Sequence, residues 1–292
     1  VDLPDAEPKL VVEGHLEQGV PPYVMLTKTI GYFEPTDISS FEGQFVHDAK
    51  VVVTVDGTDY TLDEVCTQDI PPPLLPIVAE TIGISVEDLQ RINYCAYINF
   101  NLMGEVGKIY RLSIESEGKT YASVTKIPEL VPLDTAWFGR EGNDSLGFIY
   151  AHMHDPDTLG NAYRWFARRI NLGYDGQPKD QGFIAPLGSA FDDNFFNGKD
   201  FDFGYDRGMP PGKSETDPGE VDGYYKVGDT IVVKFCSITY DVFKFLRIYE
   251  QEIYNNGNPF AAPTTIPTNI NGGALGLWAG YGVTYDTVYA VK

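Results

Sequence analysis

Short apolar runs that alternate with polar residues, and are separated by glycine and proline, dominate the chain. In "AKVVVTVDGTDYTL" every second residue is valine up to the pair Asp56-Gly57. This pair tolerates the positive φ angles of a type I′ turn, so the pattern predicts a β-hairpin. In "KIYRLSIESEGKTYASVTKI" alternating apolar residues meet a turn signal at Gly118, which predicts a second hairpin.

Other stretches have the 3.6-residue period of a helix. Residues 74–93 contain a start signal at Ser85 and apolar residues at helical spacing, so we expect one or two short helices there. An apolar stripe in residues 239–256 predicts the clearest helix, capped by Thr239 and ended by Gly257. By its own pattern "AYRWFARRINLG" fits either a helix or a strand.

These elements predict an all-β protein, rich in β-sandwich, with short helical insertions. Residues 1–129 are expected to form an immunoglobulin-like or transthyretin-like sandwich with a helical insertion near residues 74–93. Residues 130–292 are expected to form a second β-rich unit that carries one packed helix. The boundary falls at a proline-flanked connection, residues 128–132.

The charge of the chain is strongly negative, with 42 acidic against 21 basic residues and a net charge of −21. Such a chain repels phosphate backbones, which argues against a nucleic-acid partner. It also avoids anionic membrane surfaces unless a lipid tethers it. No apolar stretch approaches the length of a membrane span.

The three cysteines do not have metal-ligand spacing. Cys66 and Cys95 either form a bridge, which requires an exported protein, or are two free thiols. Cys236, in "IVVKFCSI", is predicted to be a small buried residue.

A glycine-rich run, "PTNINGGALGLWAGYG", stands near the end of the chain. A dinucleotide-binding loop needs a strand before its glycines and a helix after them. Here a predicted helix precedes and a predicted strand follows. We therefore expect the glycines to permit a tight turn and close backbone approach within a sheet, and we expect no nucleotide cofactor.

Two stretches contain candidate metal ligands. In "HMHDPD", His152 and His154 fall on one face of a predicted strand and can share a metal ion, although a strand end with its polar side chains in water is the simpler interpretation. In "FDDNFFNGKDFDFGYDRG", calcium is a candidate cofactor, while an acidic surface loop is the simpler interpretation. The candidate calcium ligands are Asp192, Asp193, Asp200 and Asp202.

Aromatic residues are interspersed with these acids, among them Phe201, Phe203 and Tyr205. We expect their rings to pack into the core or, alternatively, to form a ligand-binding platform. No catalytic motif is evident, so we assign no catalytic residue. Paired carboxylates for glycoside cleavage remain an open alternative because their separation is spatial.

The chain resembles a family of Bacteroidetes lipoproteins known as domain of unknown function 4249. The resemblance covers nearly the whole chain in order, and it favours a strand for "AYRWFARRINLG". The stretches that carry it are "LVVEG", "DAKVVV", "GKIYRLSIESEGKTYAS", "HDPDTLGNAYRW", "YKVGDTIVVKF", "YDVFKFLRIYEQEIYNNGNPFAAP" and "TNINGGALGLWAGYG".

The resemblance implies a lipoprotein of the cell envelope, exported and held at the outer membrane by an acylated cysteine upstream of Val1. It also implies an association with TonB-dependent outer-membrane transporters. We therefore expect a non-enzymatic binding or accessory protein in nutrient uptake, with a glycan or peptide as ligand. The alternatives are an extracellular hydrolase acting on glycans or peptides and a structural or adhesive β module.

Overall fold

The computed structural model describes residues 7–30, 41–82, 86–142, 145–174, 176–209, 220–255 and 264–291. Strands predominate and the helices are few and short, which confirms the predicted all-β class with helical insertions. The chain forms two compact units. Unit 1 comprises residues 1–76, 86–128 and 262–281, and unit 2 comprises residues 77–85, 129–261 and 282–292.

The strands of unit 1 are β1 (Leu10–Glu17), β2 (Tyr23–Lys28), β3 (Lys50–Val55), β4 (Thr58–Cys66), β5 (Cys95–Ile98), β6 (Ile109–Ser116), β7 (Lys119–Lys126) and the first part of β15 (Leu275–Tyr289). They lie in the order β15-β1-β2-β5-β4-β3-β6-β7. Their inward-facing residues form a core that includes Val12, Val53, Leu112 and the indole of Trp278.

Both predicted hairpins of unit 1 are confirmed. Asp56 and Gly57, with φ of 50° and 79°, form the turn between β3 and β4. Glu117 and Gly118 have φ of 50° and 73° and join β6 to β7. Cys66 and Cys95 face each other on β4 and β5 and form a disulfide. Of the two alternatives left open for these cysteines, the structure contains the disulfide.

The glycine run has the predicted structural role. Leu275–Tyr281 of β15 pairs with β1 in parallel, and its glycines lie against neighbouring backbone. A Cβ at Gly276, where φ is 100°, would lie 2.0 Å from the carbonyl oxygen of Val12. A Cβ at Gly280 would lie 2.1 Å from the carbonyl oxygen of Lys126. Only glycine permits this close approach.

The strands of unit 2 are β8 (Thr135–Arg140), β9 (Leu146–His154), β10 (Ala162–Arg169), β11 (Ala190–Asp192), β12 (Asp200–Tyr205), β13 (Tyr225–Lys226) and β14 (Thr230–Ile238). They form two sheets packed face to face. In the first sheet the order is β11-β10-β14-β15. In the second, here called the small sheet, β8, β12 and β13 all pair with β9.

The core of unit 2 lies between these sheets. Ile149 and Met153 of the small sheet and Trp165 and Phe235 of the other are all fully or almost fully buried in one cluster. The strand at β10 confirms the interpretation that the family resemblance favoured for "AYRWFARRINLG". Cys236 of β14 is buried, as predicted.

The helices lie close to their predicted positions. They are α1 (Leu75–Ile82), α2 (Val86–Arg91) and α3 (Tyr240–Asn255). The predicted start and end signals Ser85 and Gly257 lie outside the described residues. Helix α3 contacts β10 and β11 of unit 2. Among the described residues, no helix combines the length and apolar character that crossing a membrane requires.

Candidate functional site

Strand β9 places alternate residues on opposite faces of the small sheet, as the period of two requires. Ile149, Ala151 and Met153 are buried in the core. The residues between them lie on the other side, here called the outer face. These residues of β9 are Phe148, Tyr150, His152 and His154.

The aromatic part of the outer face centres on Tyr150. Its ring stacks on Trp137 of β8, with ring centroids 6.0 Å apart and planes 20° from parallel. On β8, a Cβ at Gly139 would lie 2.4 Å from the Tyr150 ring, and on β12, a Cβ at Gly204 would lie 2.5 Å from it. The ring therefore covers the backbone of both neighbouring strands, and the two glycines create the space that it occupies.

Further groups border this aromatic pair. Phe148 stacks on Tyr224 with ring centroids 5.0 Å apart. The hydroxyl of Tyr150 donates to Oε1 of Glu141 at 3.4 Å. Desolvation and the Glu141 charge raise the pKa of Tyr150, so its phenol remains a neutral hydrogen-bond donor over the physiological range. Trp137 remains 38% exposed.

The polar part of the outer face consists of cross-strand pairs between imidazoles and carboxylates. His152 lies opposite Asp202 and His154 opposite Asp200 in the β9–β12 register. Nδ1 of His152 is 2.6 Å from Oδ1 of Asp202, and Nδ1 of His154 is 2.9 Å from Oδ1 of Asp200. The structure thus brings together two sets of residues that the sequence presented as separate metal-site candidates.

A third carboxylate completes this group. Asp134, just before β8, donates its backbone N–H to the carbonyl of His152 at 2.9 Å. Ligand atoms of Asp134, His152 and Asp200 all lie within 4.8 Å of one another. The hydrogen bond to Asp202 raises the pKa of His152 most, and the charges of Asp202, Asp134 and Asp200 add to it, against a smaller lowering by desolvation.

The two remaining calcium candidates lie elsewhere in unit 2. Asp193 is buried, and its carboxylate accepts the backbone N–H groups of Gly160 and Asn161 at 2.8 and 2.9 Å. Asp192 accepts a hydrogen bond from the side-chain amide of Asn194 at 2.5 Å. Within the part of the chain that the structure describes, neither belongs to a group of three potential metal ligands.

The candidate platform residues Phe201, Phe203 and Tyr205 point to the inner face of β12. Their rings pack against the core of unit 2. Phe203 meets Trp165 edge to face, with ring centroids 5.8 Å apart, and Tyr205 lies 5.7 Å from the same indole. The outer face instead carries Trp137, which is exposed, and the half-buried ring of Tyr150.

Buried charges in unit 2 hold loops in place. Asp155 is fully buried and accepts hydrogen bonds from the hydroxyl of Tyr163 at 2.5 Å and the N–H of Gly198 at 3.2 Å. The guanidinium of Arg169 binds both oxygens of Asp180, at 3.0 and 2.8 Å. These carboxylates accept hydrogen bonds from nearby donors, because a buried charge without a partner would be strongly destabilising.

Several residues of the outer face were not among the candidates predicted from the sequence, including Asp134, Trp137, Glu141, Phe148 and Tyr150. A signal for Tyr150 was present, because in "LGFIYAHMH" the apolar residues Ile149, Ala151 and Met153 alternate with two aromatic rings and two imidazoles. Gly139 in "AWFGR" and Gly204 in "FDFGY" were a second signal, since a glycine inside a strand marks close approach of another group.

A search of curated proteins gives no match to this chain. The sequence profile of one family, described as "Domain of unknown function (DUF4249)", matches residues 1–287, nearly the whole chain. The extent of this match agrees with the resemblance found in the sequence. The chain belongs to the DUF4249 family.

Proposed function

We propose that this protein is a non-enzymatic binding protein of the cell envelope that captures saccharides on the outer face of the small sheet. The observation that carries the proposal is the arrangement of Tyr150, which covers Gly139 and Gly204 and stacks on the partly exposed ring of Trp137. An exposed aromatic surface of this kind is typical of a contact site for a ligand.

The chemistry of the outer face suits a pyranose ring. The face of an aromatic ring is electron-rich and attracts the polarised C–H groups on one side of a sugar. Beside the rings, His152, Asp202 and Glu141 offer the donors and acceptors that sugar hydroxyls require. The net charge of −21 favours a neutral saccharide over an acidic one.

The proposed location rests on the family resemblance and on the disulfide between Cys66 and Cys95. Disulfides form and persist in oxidising compartments such as the bacterial periplasm and the cell surface. A lipid-anchored protein there that holds saccharides would serve as an accessory to an outer-membrane transporter, the TonB-dependent class being the one that the family resemblance implies.

Saccharide binding can be tested by affinity electrophoresis against a panel of neutral and acidic polysaccharides, followed by fluorescence titration. The chain has three tryptophans, and Trp165 and Trp278 are fully buried. Acrylamide quenching therefore reports mainly on Trp137. We expect a bound oligosaccharide to protect Trp137 from quenching, and we expect Trp137→Ala and Tyr150→Ala to weaken binding at least tenfold, about 1.4 kcal/mol.

Tyr254→Ala is the matched control, because Tyr254 is an exposed aromatic residue on helix α3 and should not affect binding. Absence of binding across the panel would refute the saccharide proposal. Binding that both outer-face variants leave intact would refute the assigned surface. Release of new reducing ends during incubation would show the alternative, hydrolysis, instead.

The accessory role needs its own test in native membranes. We expect affinity purification of the lipidated protein, after mild detergent extraction, to recover a TonB-dependent transporter in a stoichiometric amount. Recovery of the protein without any outer-membrane transporter, or from the cytoplasmic fraction with Cys66 and Cys95 reduced, would contradict this part of the proposal.

A further inference from the structure

The polar part of the outer face also has the composition of a metal-binding site. Three strand regions contribute to it: Asp134 precedes β8, His152 belongs to β9 and Asp200 to β12. Their ligand atoms lie within 4.8 Å of one another. Ligands about 2.1 Å from one tetrahedral metal ion are about 3.4 Å apart, so small side-chain rotations would bring these three into range.

We propose that Asp134, His152 and Asp200 bind a divalent transition-metal ion of the Zn²⁺ class. An imidazole together with carboxylates is a donor set that Zn²⁺ accepts, whereas Ca²⁺ and Mg²⁺ favour oxygen ligands alone. The site needs no saccharide, so it goes beyond the proposed function. The side chain of His152 is 36% exposed, which leaves room for water to complete the coordination.

The neighbouring pairs act as positioning residues in this site. Asp202, 2.6 Å from Nδ1 of His152, fixes the imidazole, as carboxylates commonly do for histidines that bind zinc. His154, 2.9 Å from Oδ1 of Asp200, holds that carboxylate in the same way. Without metal, the pairs are held by hydrogen bonds between imidazole and carboxylate. When the ion binds, a protonated His152 releases to solvent the proton of the ring nitrogen that does not face Asp202. The lone pair of that nitrogen then forms the metal bond.

A second group provides an internal comparison. Ligand atoms of His47, Glu64, Cys66 and Cys95 also lie close together in unit 1. Both cysteines are consumed by the disulfide, so only His47 and Glu64 can act as ligands there. One imidazole and one carboxylate make a weaker site than the three ligands of the outer face.

The test is a titration of the metal-free full chain with ZnCl₂, followed by calorimetry and by imidazole NMR. The chain has four histidines, His15, His47, His152 and His154, so each can be assigned. We expect one saturable site, with the signals of His152 and His154 shifting first. His152→Ala and Asp200→Asn should weaken binding at least tenfold, Asp202→Asn should weaken it about tenfold, and His47→Ala should not change it.

Two results would overturn the proposal. One is a Zn²⁺ affinity that is unchanged in His152→Ala, or a titration in which the NMR signal of His47 or His15 shifts before that of His152. The other is tighter binding of CaCl₂ than of ZnCl₂ at the outer face. The NMR titration uses the wild-type chain, so it decides the matter even if a variant fails to fold. If the wild-type protein binds Zn²⁺ but no saccharide of the panel, the proposed function is refuted and the metal site stands.

Discussion

Trp137 and Tyr150 are directly paired residues on β8 and β9, and their rings stack with centroids 6.0 Å apart. The pair is rigid because the Tyr150 ring also rests on Gly139 and Gly204. A ring held in this way loses little conformational entropy when a ligand binds to it. This relationship is the physical reason for assigning the outer face of the small sheet as the binding surface.

The first prediction concerns the space beneath Tyr150. Gly204→Ala should lower the free energy of unfolding by about 1–3 kcal/mol, because the new Cβ would force the ring away. It should also weaken saccharide binding. Urea unfolding measures the first effect. In a Tyr150→Ala background the same substitution should cost much less, and an equal cost in both backgrounds would contradict the contact.

The second prediction separates structural from ligand-binding aspartates. Asp193→Ala should lower the free energy of unfolding by about 1–3 kcal/mol, because it removes a buried carboxylate that accepts the N–H groups of Gly160 and Asn161. Asp192→Ala should change it by less than about 0.5 kcal/mol. Neither should alter Zn²⁺ affinity in calorimetry. A large loss of Zn²⁺ affinity in Asp193→Ala would show that the metal site does not lie on the outer face.

The third prediction concerns the disulfide. Cys66 and Cys95 are 29 residues apart in sequence. Closing a loop of that length restricts the unfolded chain, so replacing both with alanine should lower the free energy of unfolding by about 3–4 kcal/mol. Chemical denaturation with and without a reducing agent measures this. The reducing agent should destabilise the wild-type protein and leave the double variant unaffected; equal behaviour would mean that the bridge does not form.

The fourth prediction concerns the titration of His152 in metal-free protein. Its pKa should lie above the ordinary value near 6.5, chiefly because of the hydrogen bond to Asp202. Since the folded state binds this proton more tightly, the stabilising contribution is complete below about pH 6.5 and is lost as the pH rises through the folded-state pKa. Imidazole NMR should show a lower pKa of His152 in Asp202→Asn and an unchanged pKa of His152 in Asp192→Asn. A pKa unaffected by Asp202→Asn would contradict the pairing.

Local signals in the sequence predicted a large part of the fold. The Asp56-Gly57 turn was readable because few residue pairs tolerate two positive φ angles. The helix predicted over residues 239–256 is observed at Tyr240–Asn255, because its apolar stripe is long and regular. The placement of His152 and His154 on one face followed from the period of a strand.

The pairing of the outer face could not be predicted in the same way. His152 and Asp202 are 50 residues apart, and His154 and Asp200 are 46 residues apart. Their meeting depends on the register between β9 and β12, which is set by packing of the inner residues and leaves no local mark in the sequence. In the sequence the metal candidates are therefore two separate stretches, and only the sheet brings them together.

The most direct test of the central claim, that the outer face of the small sheet is the ligand-binding surface, is an NMR spectrum of the indole N–H groups. It should contain three signals, one for each tryptophan. During titration with a bound oligosaccharide we predict that the Trp137 signal moves, while those of Trp165 and Trp278, which are fully buried, stay in place. Saturable binding with an unmoved Trp137 signal would contradict the claim.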